Sequence, residues 1–331
     1  MSVEAIYAPG WRSDTARRRV MLLGGSGTIG QAAATALHEA GHSVVAVLRS
    51  KPTTPCPFKV EIGRLEDESF LTGVLKANTC DVVLSCLASR SGAPADAWAV
   101  DHGLNCNALR AAKTAGVPRF VLLSAICVQR PKLEFQRAKL AFEGELAASG
   151  LTYSIVRPTA FFKSLSGQLD RIRRDKPFLV FGDGRLTACK PISDSDLARF
   201  LTRCVEGGPS DNRILPVGGP GPALTPLEQG EALFAAAGLA PKFRHVPPGL
   251  LRGIVGGLTT LGMVSAKARA KAELAKIGIY YATESMLVWN EKAGGYDADA
   301  TPEFGDETLS DFYRRLASGE AKVDRGDHAV F

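Results

Sequence analysis

The run Val20–Gly30, read as Val-Met-Leu-Leu-Gly-Gly-Ser-Gly-Thr-Ile-Gly, leaves few folds open to this chain. Four apolar residues, Val20 to Leu23, predict a short buried strand. Glycines at 24, 25, 27 and 30 follow at once. Gln31–Gly41 is then rich in helix formers and closes on a glycine suited to a C-cap. Strand, glycine turn and helix together form a context in which a glycine pattern signals a dinucleotide site. Residues without Cβ let the backbone approach a pyrophosphate, and the helix N-terminus presents unpaired N–H donors to it.

The next apolar run, Ser43–Leu48, predicts a second parallel strand. An acidic residue about 20 positions beyond the glycine motif would bind the ribose 2′-hydroxyl of NAD. Here the strand ends in Arg49-Ser50-Lys51, with no acid. A guanidinium binds a 2′-phosphate through charge-assisted, bidentate bonds, so the turn predicts NADPH.

Beyond this unit the pattern keeps alternating. Strands are expected at Phe58–Ile62, Asp81–Leu87, Arg119–Ser124 and Thr152–Arg157, and helices at Glu68–Lys76, Trp98–Ala115 and Leu133–Ala148. Repeated βαβ order predicts an α/β fold, a doubly wound parallel sheet with ligands beyond the carboxyl ends of its strands. Residues 1–16 read as a tail, 17–220 as the nucleotide-binding domain, and 221–331 as a smaller substrate-binding region helped by 158–186. In that region a helix is expected at Ser193–Val205, a late strand at Arg213–Val217 and a helix at Thr225–Ala237. A hairpin is expected around Asn290–Gly295, and a closing helix at Asp306–Leu316 capped by Asp306. In Pro247–Val264, Leu250, Ile254, Leu258 and Leu261 share a helix face. That segment fits a buried helix, an apolar lid or a surface touching a membrane, and it is too short and glycine-broken for a membrane span.

The chain has 331 residues and a net charge of +6, but its basic clusters lack the aromatic interleaving of a nucleic-acid surface, so no nucleic-acid partner is expected. Seven scattered cysteines without a C-x-x-C pair predict reduced thiols and a cytoplasmic setting. The histidines offer no recognisable metal spacing, so no protein metal is expected.

The stretches Gly24-x-x-Gly27-x-x-Gly30, Phe120-Val-Leu-Leu-Ser124 and Arg157-Pro-Thr-Ala-Phe-Phe162 resemble the atypical, NmrA-like branch of the short-chain dehydrogenase/reductase superfamily, over Arg19–Ser318. Four further stretches are Leu133–Leu140, Lys276–Met286, Thr301-Pro-Glu-Phe-Gly305 and Glu307–Phe312. They are similar to the NADPH-dependent divinyl (proto)chlorophyllide 8-vinyl reductases. The resemblance implies an NAD(P)-binding Rossmann fold, and reduction by NADPH of a vinyl group on a magnesium tetrapyrrole whose metal belongs to the substrate. It also implies a protein at most peripheral to a photosynthetic membrane. Its implied cofactor contacts are Gly24, Gly25, Ser26, Gly27, Thr28, Ile29, Gly30, Arg49, Ser50, Lys51, Arg64, Leu65, Cys86, Leu87, Ala88, Ser124, Lys139 and Pro158. Implied substrate contacts are Phe161, Phe162, Leu250 and Ile254.

The chain departs from the superfamily pattern at two places. Where Tyr-x-x-x-Lys is usual, it reads Phe135-Gln-Arg-Ala-Lys139. Lys139 is then expected to hold the ribose, with Phe135 beside the substrate. Hydride addition to a conjugated vinyl group makes no alkoxide, so no phenol is required. The usual Gly-Asp-Leu reads Gly63-Arg64-Leu65, which points to Arg64 stacking on the adenine or assisting the 2′-phosphate. Water, Lys139, Tyr280 and Tyr281 all stay open as proton donor. A non-catalytic NADP(H)-binding regulator or scaffold is the competing reading, with a sugar-nucleotide epimerase third.

Overall fold

A computed structural model describes residues 3–9, 17–52, 56–262 and 265–321. The first half runs β1 (Arg19–Leu23), α1 (Thr28–Glu39), β2 (Ser43–Leu48), β3 (Lys59–Ile62), α2 (Glu68–Ala77), β4 (Val82–Ser85), α3 (Pro94–Ala97), α4 (Asn105–Ala115), β5 (Arg119–Leu123), α5 (Glu134–Ala147) and β6 (Thr152–Pro158). The second half runs α6 (Phe162–Leu165), α7 (Leu169–Arg173), β7 (Phe178–Phe181), α8 (Asp194–Glu206), β8 (Arg213–Val217), α9 (Pro226–Ala237) and β9 (Phe243–Val246). It ends with α10 (Pro248–Gly262), α11 (Ala266–Thr283), β10 (Val288–Asn290), β11 (Gly295–Asp297) and α12 (Leu309–Ser318).

Seven parallel strands form one sheet in the order β3-β2-β1-β4-β5-β6-β8. Their apolar runs are buried on both faces, as a helix-covered parallel sheet requires. One face packs Val20, Leu22 and Leu84 against Ala33 and Leu37 of α1 and Leu197 and Leu201 of α8. The other packs Met21, Leu23 and Val83 against Leu71 of α2, Leu109 of α4 and Phe142 of α5. Strand order reverses between β1 and β4, so the crevice for a ligand opens at their carboxyl ends.

Several expectations need correction. Part of the supposed tail belongs to the core: Ile6 is fully buried and the Tyr7 hydroxyl donates to Pro216 O at 2.7 Å. The helix expected over Trp98–Ala115 is π-helical from Trp98 to Leu104 and becomes α-helical only at Asn105. The closing helix starts at Leu309 with Thr308 as cap, because Thr308 and Asp311 satisfy each other's backbone in a capping box while Asp306 pairs with Arg199 at 2.8 Å. The two-stranded parallel sheet of β7 and β9 was not expected. It covers a separate core of Phe162, Phe178, Phe234 and Tyr313.

Candidate functional site

Gly24 ends β1 with φ +78°, a conformation L side chains avoid, and a Cβ there would lie 2.5 Å from Cys86 O at the end of β4. A Cβ on Gly30 would collide with the Gly24 backbone, because α1 begins directly against the turn. Gly27 differs. It is exposed, with ordinary φ, and a Cβ would meet only Gly24 O at 3.4 Å. Internal packing therefore does not require glycine at 27, whereas close approach of a phosphate would. Ser26 and Thr28 flank it, also exposed, and the orphan N–H groups of the first turn of α1 open at the same edge. The turn thus fits a dinucleotide.

Arg49, Ser50 and Lys51 are all exposed beyond β2, on the strand beside β1. Arg64 is also exposed and lies 3.7 Å from Glu66. Leu65 and Leu87 are buried in the core, as is Ile29 on the other face, so these three offer only backbone to a cofactor. Cys86 is half-buried and Ala88 exposed. Pro158 is the last residue of β6, in register with Val217. One cation at the glycine turn escaped the sequence reading: Lys163 Nζ donates to Thr28 Oγ1 at 2.7 Å. A lysine more than 130 positions away carries no local signal of such a contact.

Helix α5 places Phe135, Lys139 and Glu143 on one face, four residues apart. Lys139 Nζ lies 2.9 Å from Asp101 Oδ1. Asp101 is almost fully buried in the π-helical stretch. Burial pushes the Cys86 thiol up to about 12 and the Cys127 thiol up to about 11, with the Lys139 charge opposing both shifts. Ser124 is buried, and its Oγ donates to Glu143 Oε1 at 2.5 Å. Glu143 also binds the Arg157 guanidinium, with Nε at 3.2 Å. That buried trio ties α5 to β5 and β6 and holds the Lys139 face in place.

Phe135 is largely buried among Ile126, Cys127, Cys189, Tyr280 and Met286. Tyr280 of α11 donates from its hydroxyl to Cys127 O at 3.0 Å. The stretch 276–286 is thereby brought against the Phe135 end of α5, although the two are far apart in sequence. Phe162 is a core residue, 2 % exposed, with its ring tilted against that of Phe312 at 5.4 Å between centroids. Phe161 is half-buried and bridges Ile192. Leu250 is exposed on α10, which packs on α11. The side chain of Ile254 lies outside those described. No helix among the described residues is long and apolar enough to cross a membrane.

A profile of the NAD(P)H-binding family matches residues 24–207. The leucoanthocyanidin reductase of Vitis vinifera, solved as a ternary complex, superposes with TM-score 0.67 at 17% identity, covering 91% of this chain and 99% of that one. Fold and glycine turn together define an NAD(P)H-binding protein with a Rossmann-type sheet. A chloroplastic divinyl chlorophyllide a 8-vinyl-reductase of Cucumis sativus is 44% identical over 94% of this chain and 79% of its own length. The Arabidopsis thaliana protein of that name is 42% identical over 98% of this chain and 83% of its own length. The chain belongs to the divinyl chlorophyllide a 8-vinyl-reductase family.

Proposed function

We infer that this chain uses NADPH to reduce the 8-vinyl group of a divinyl chlorophyllide, or of its protochlorophyllide counterpart, to an ethyl group. The observation that carries the reading is 42–44% identity to 8-vinyl reductases across nearly the whole chain. When bound, NADPH supplies a hydride to the vinyl carbon. The exposed Ser26–Thr28 turn and the first turn of α1 receive its pyrophosphate, with Lys163 adding positive charge at Thr28. Arg49 and Lys51 take the 2′-phosphate. Lys139, oriented by Asp101, holds the nicotinamide ribose. Phe135, Met286 and Tyr280 give an apolar, water-poor wall suited to a flat macrocycle. Negative charge from hydride addition spreads into that macrocycle, and a proton reaches carbon afterwards, so the phenylalanine at 135 costs nothing chemically.

Residues 17–220 supply the nucleotide contacts and 221–331 the substrate contacts, with 158–186 serving both through Lys163. Exposed Leu250 on α10 supports a peripheral, weak contact with a photosynthetic membrane surface. The test is incubation with NADPH and divinyl chlorophyllide, following pigment absorption and product mass. A product heavier by two hydrogens is expected. Tight NADPH binding without pigment conversion would instead favour a regulator, a reading that rests on Phe135 alone.

A further inference from the structure

The π-helical stretch between α3 and α4 carries a second cluster, whose α5 member comes six residues after Lys139. His102 Nε2 lies 2.7 Å from Glu145 Oε1, Cys106 Sγ donates to Glu145 Oε2 at 3.2 Å, and Cys106 Sγ stands 3.6 Å from His102 Nε2. All three ligand atoms fall within 4.8 Å of one another. His102 and Cys106 are four residues apart across the junction of π and α helix, while Glu145 comes from α5.

We propose that His102, Cys106 and Glu145 form a binding site for a thiophilic divalent cation of the zinc type. Zinc bonds of about 2.3 Å to sulfur and 2.0–2.1 Å to nitrogen or oxygen, set tetrahedrally, place ligand atoms about 3.3–3.6 Å apart. The Cys106–His102 separation already matches, the Cys106–Glu145 separation is slightly short, and the one between His102 and Glu145 opens by a small side-chain rotation. One imidazole, one thiolate and one carboxylate leave the metal site electrically neutral, and a water completes four-coordination. On binding, the Cys106 thiol gives its proton to solvent, the sulfur–metal bond replaces the bond to Glu145, and no redox change occurs. Cys106 is buried and Glu145 half-exposed at the side chain, so the cation enters from the solvent side while the thiolate is shielded. Arg110 lies within electrostatic range of Glu145, but its guanidinium is bonded to Glu68 at 2.9 Å and to Asn107.

The π-helical stretch holds Asp101 as well as His102. A cation here would cross-link that stretch to α5, the helix carrying Lys139, and so brace the Asp101–Lys139 pair from behind. π-helical turns recur at functional sites, and this stretch carries Asp101 and His102 in succession.

The experiment is titration of the reduced, metal-stripped full chain with Co²⁺, a spectroscopic substitute for Zn²⁺. One equivalent should produce a thiolate-to-metal charge-transfer band, which Zn²⁺ then displaces. Cys106→Ser should abolish the band, and Glu145→Gln, at a half-exposed position, should weaken Co²⁺ affinity about tenfold or more. Absence of the band in the native chain, or its survival in C106S, would overturn the site. If C106S fails to fold, the affinity of E145Q decides: unchanged affinity overturns the proposal, weakened affinity supports it.

Discussion

Lys139 Nζ and Asp101 Oδ1 meet 2.9 Å apart, with the lysine side chain 12% exposed and the aspartate 1%. An ammonium so placed is oriented by its partner as well as charge-compensated. Lys139→Ala should cut turnover by about 100-fold or more through misplacement of the nicotinamide. It should also destabilise the fold by about 3–5 kcal/mol, because Asp101 is left as a buried unpaired carboxylate. Asp101→Asn combined with Lys139→Ala should recover much of the stability and none of the turnover. Denaturant midpoints and steady-state rates on the single and double variants separate the two roles. Full recovery of turnover in the double variant would remove Lys139 from the chemistry.

Two cations at the nucleotide edge should behave differently. Arg49 is exposed beyond β2, where we place the 2′-phosphate. Lys163 sits on Thr28, where any dinucleotide presents its pyrophosphate. Arg49→Glu should erase a preference for NADPH over NADH of about 10- to 150-fold, the worth of one charge-assisted contact. Lys163→Ala should weaken both nucleotides by similar factors. Calorimetric titration with each nucleotide reads the difference. A Lys163 variant that loses NADPH alone would move that side chain to the 2′-phosphate.

Two glycines of the turn should respond in different ways. Gly27→Val should abolish nucleotide binding with the melting temperature nearly unchanged, since its Cβ meets only Gly24 O at 3.4 Å. Gly24→Ala places a Cβ 2.5 Å from Cys86 O at a left-handed φ and should instead destabilise the whole domain. Far-ultraviolet dichroism, melting curves and NADPH fluorescence are sufficient to tell these apart.

Local pattern made the main sheet readable, because most of its strands are short apolar runs and several helices begin on a capping side chain or end on a glycine. The strand, turn and helix of residues 20–39 could be read for the same reason: their pattern lies within a single βαβ unit. What the sequence withheld depends on contacts between distant segments. Lys163 reaches Thr28, and Tyr280 reaches Cys127, only after the C-terminal half folds back on the sheet. Asp101 carried no signal in the sequence; its place in a π-helical stretch, paired with Lys139, comes from the structure. Strands β7 and β9 are four residues each and pair across more than sixty positions, which no local window captures.

Phe162 should act through stability. It fills the core around Phe312, Leu169 and Tyr313, and Phe162→Ala should cost about 3–5 kcal/mol. NADPH and pigment binding should fall together with the melting temperature. A selective loss of pigment affinity at unchanged stability would return this side chain to the substrate pocket.

Phe135 tests the chemistry itself. It stands where a carbonyl reductase would keep a phenol, four residues before Lys139, and it is 8% exposed among Ile126, Cys127, Cys189, Tyr280 and Met286. Phe135→Tyr adds a hydroxyl to that apolar cluster. If the new oxygen finds no partner, stability should drop by about 1–3 kcal/mol. Turnover of the vinyl group should nevertheless stay within about tenfold, because no alkoxide forms and no step awaits a phenol proton. The same variant should gain no measurable ability to reduce simple ketones, since the apolar wall, not one hydroxyl, selects the substrate. Rates with NADPH and divinyl chlorophyllide, set beside the melting temperatures, give the answer. A rise in vinyl reduction of 100-fold or more in the tyrosine variant would mean that the native enzyme does lack a proton donor at this position.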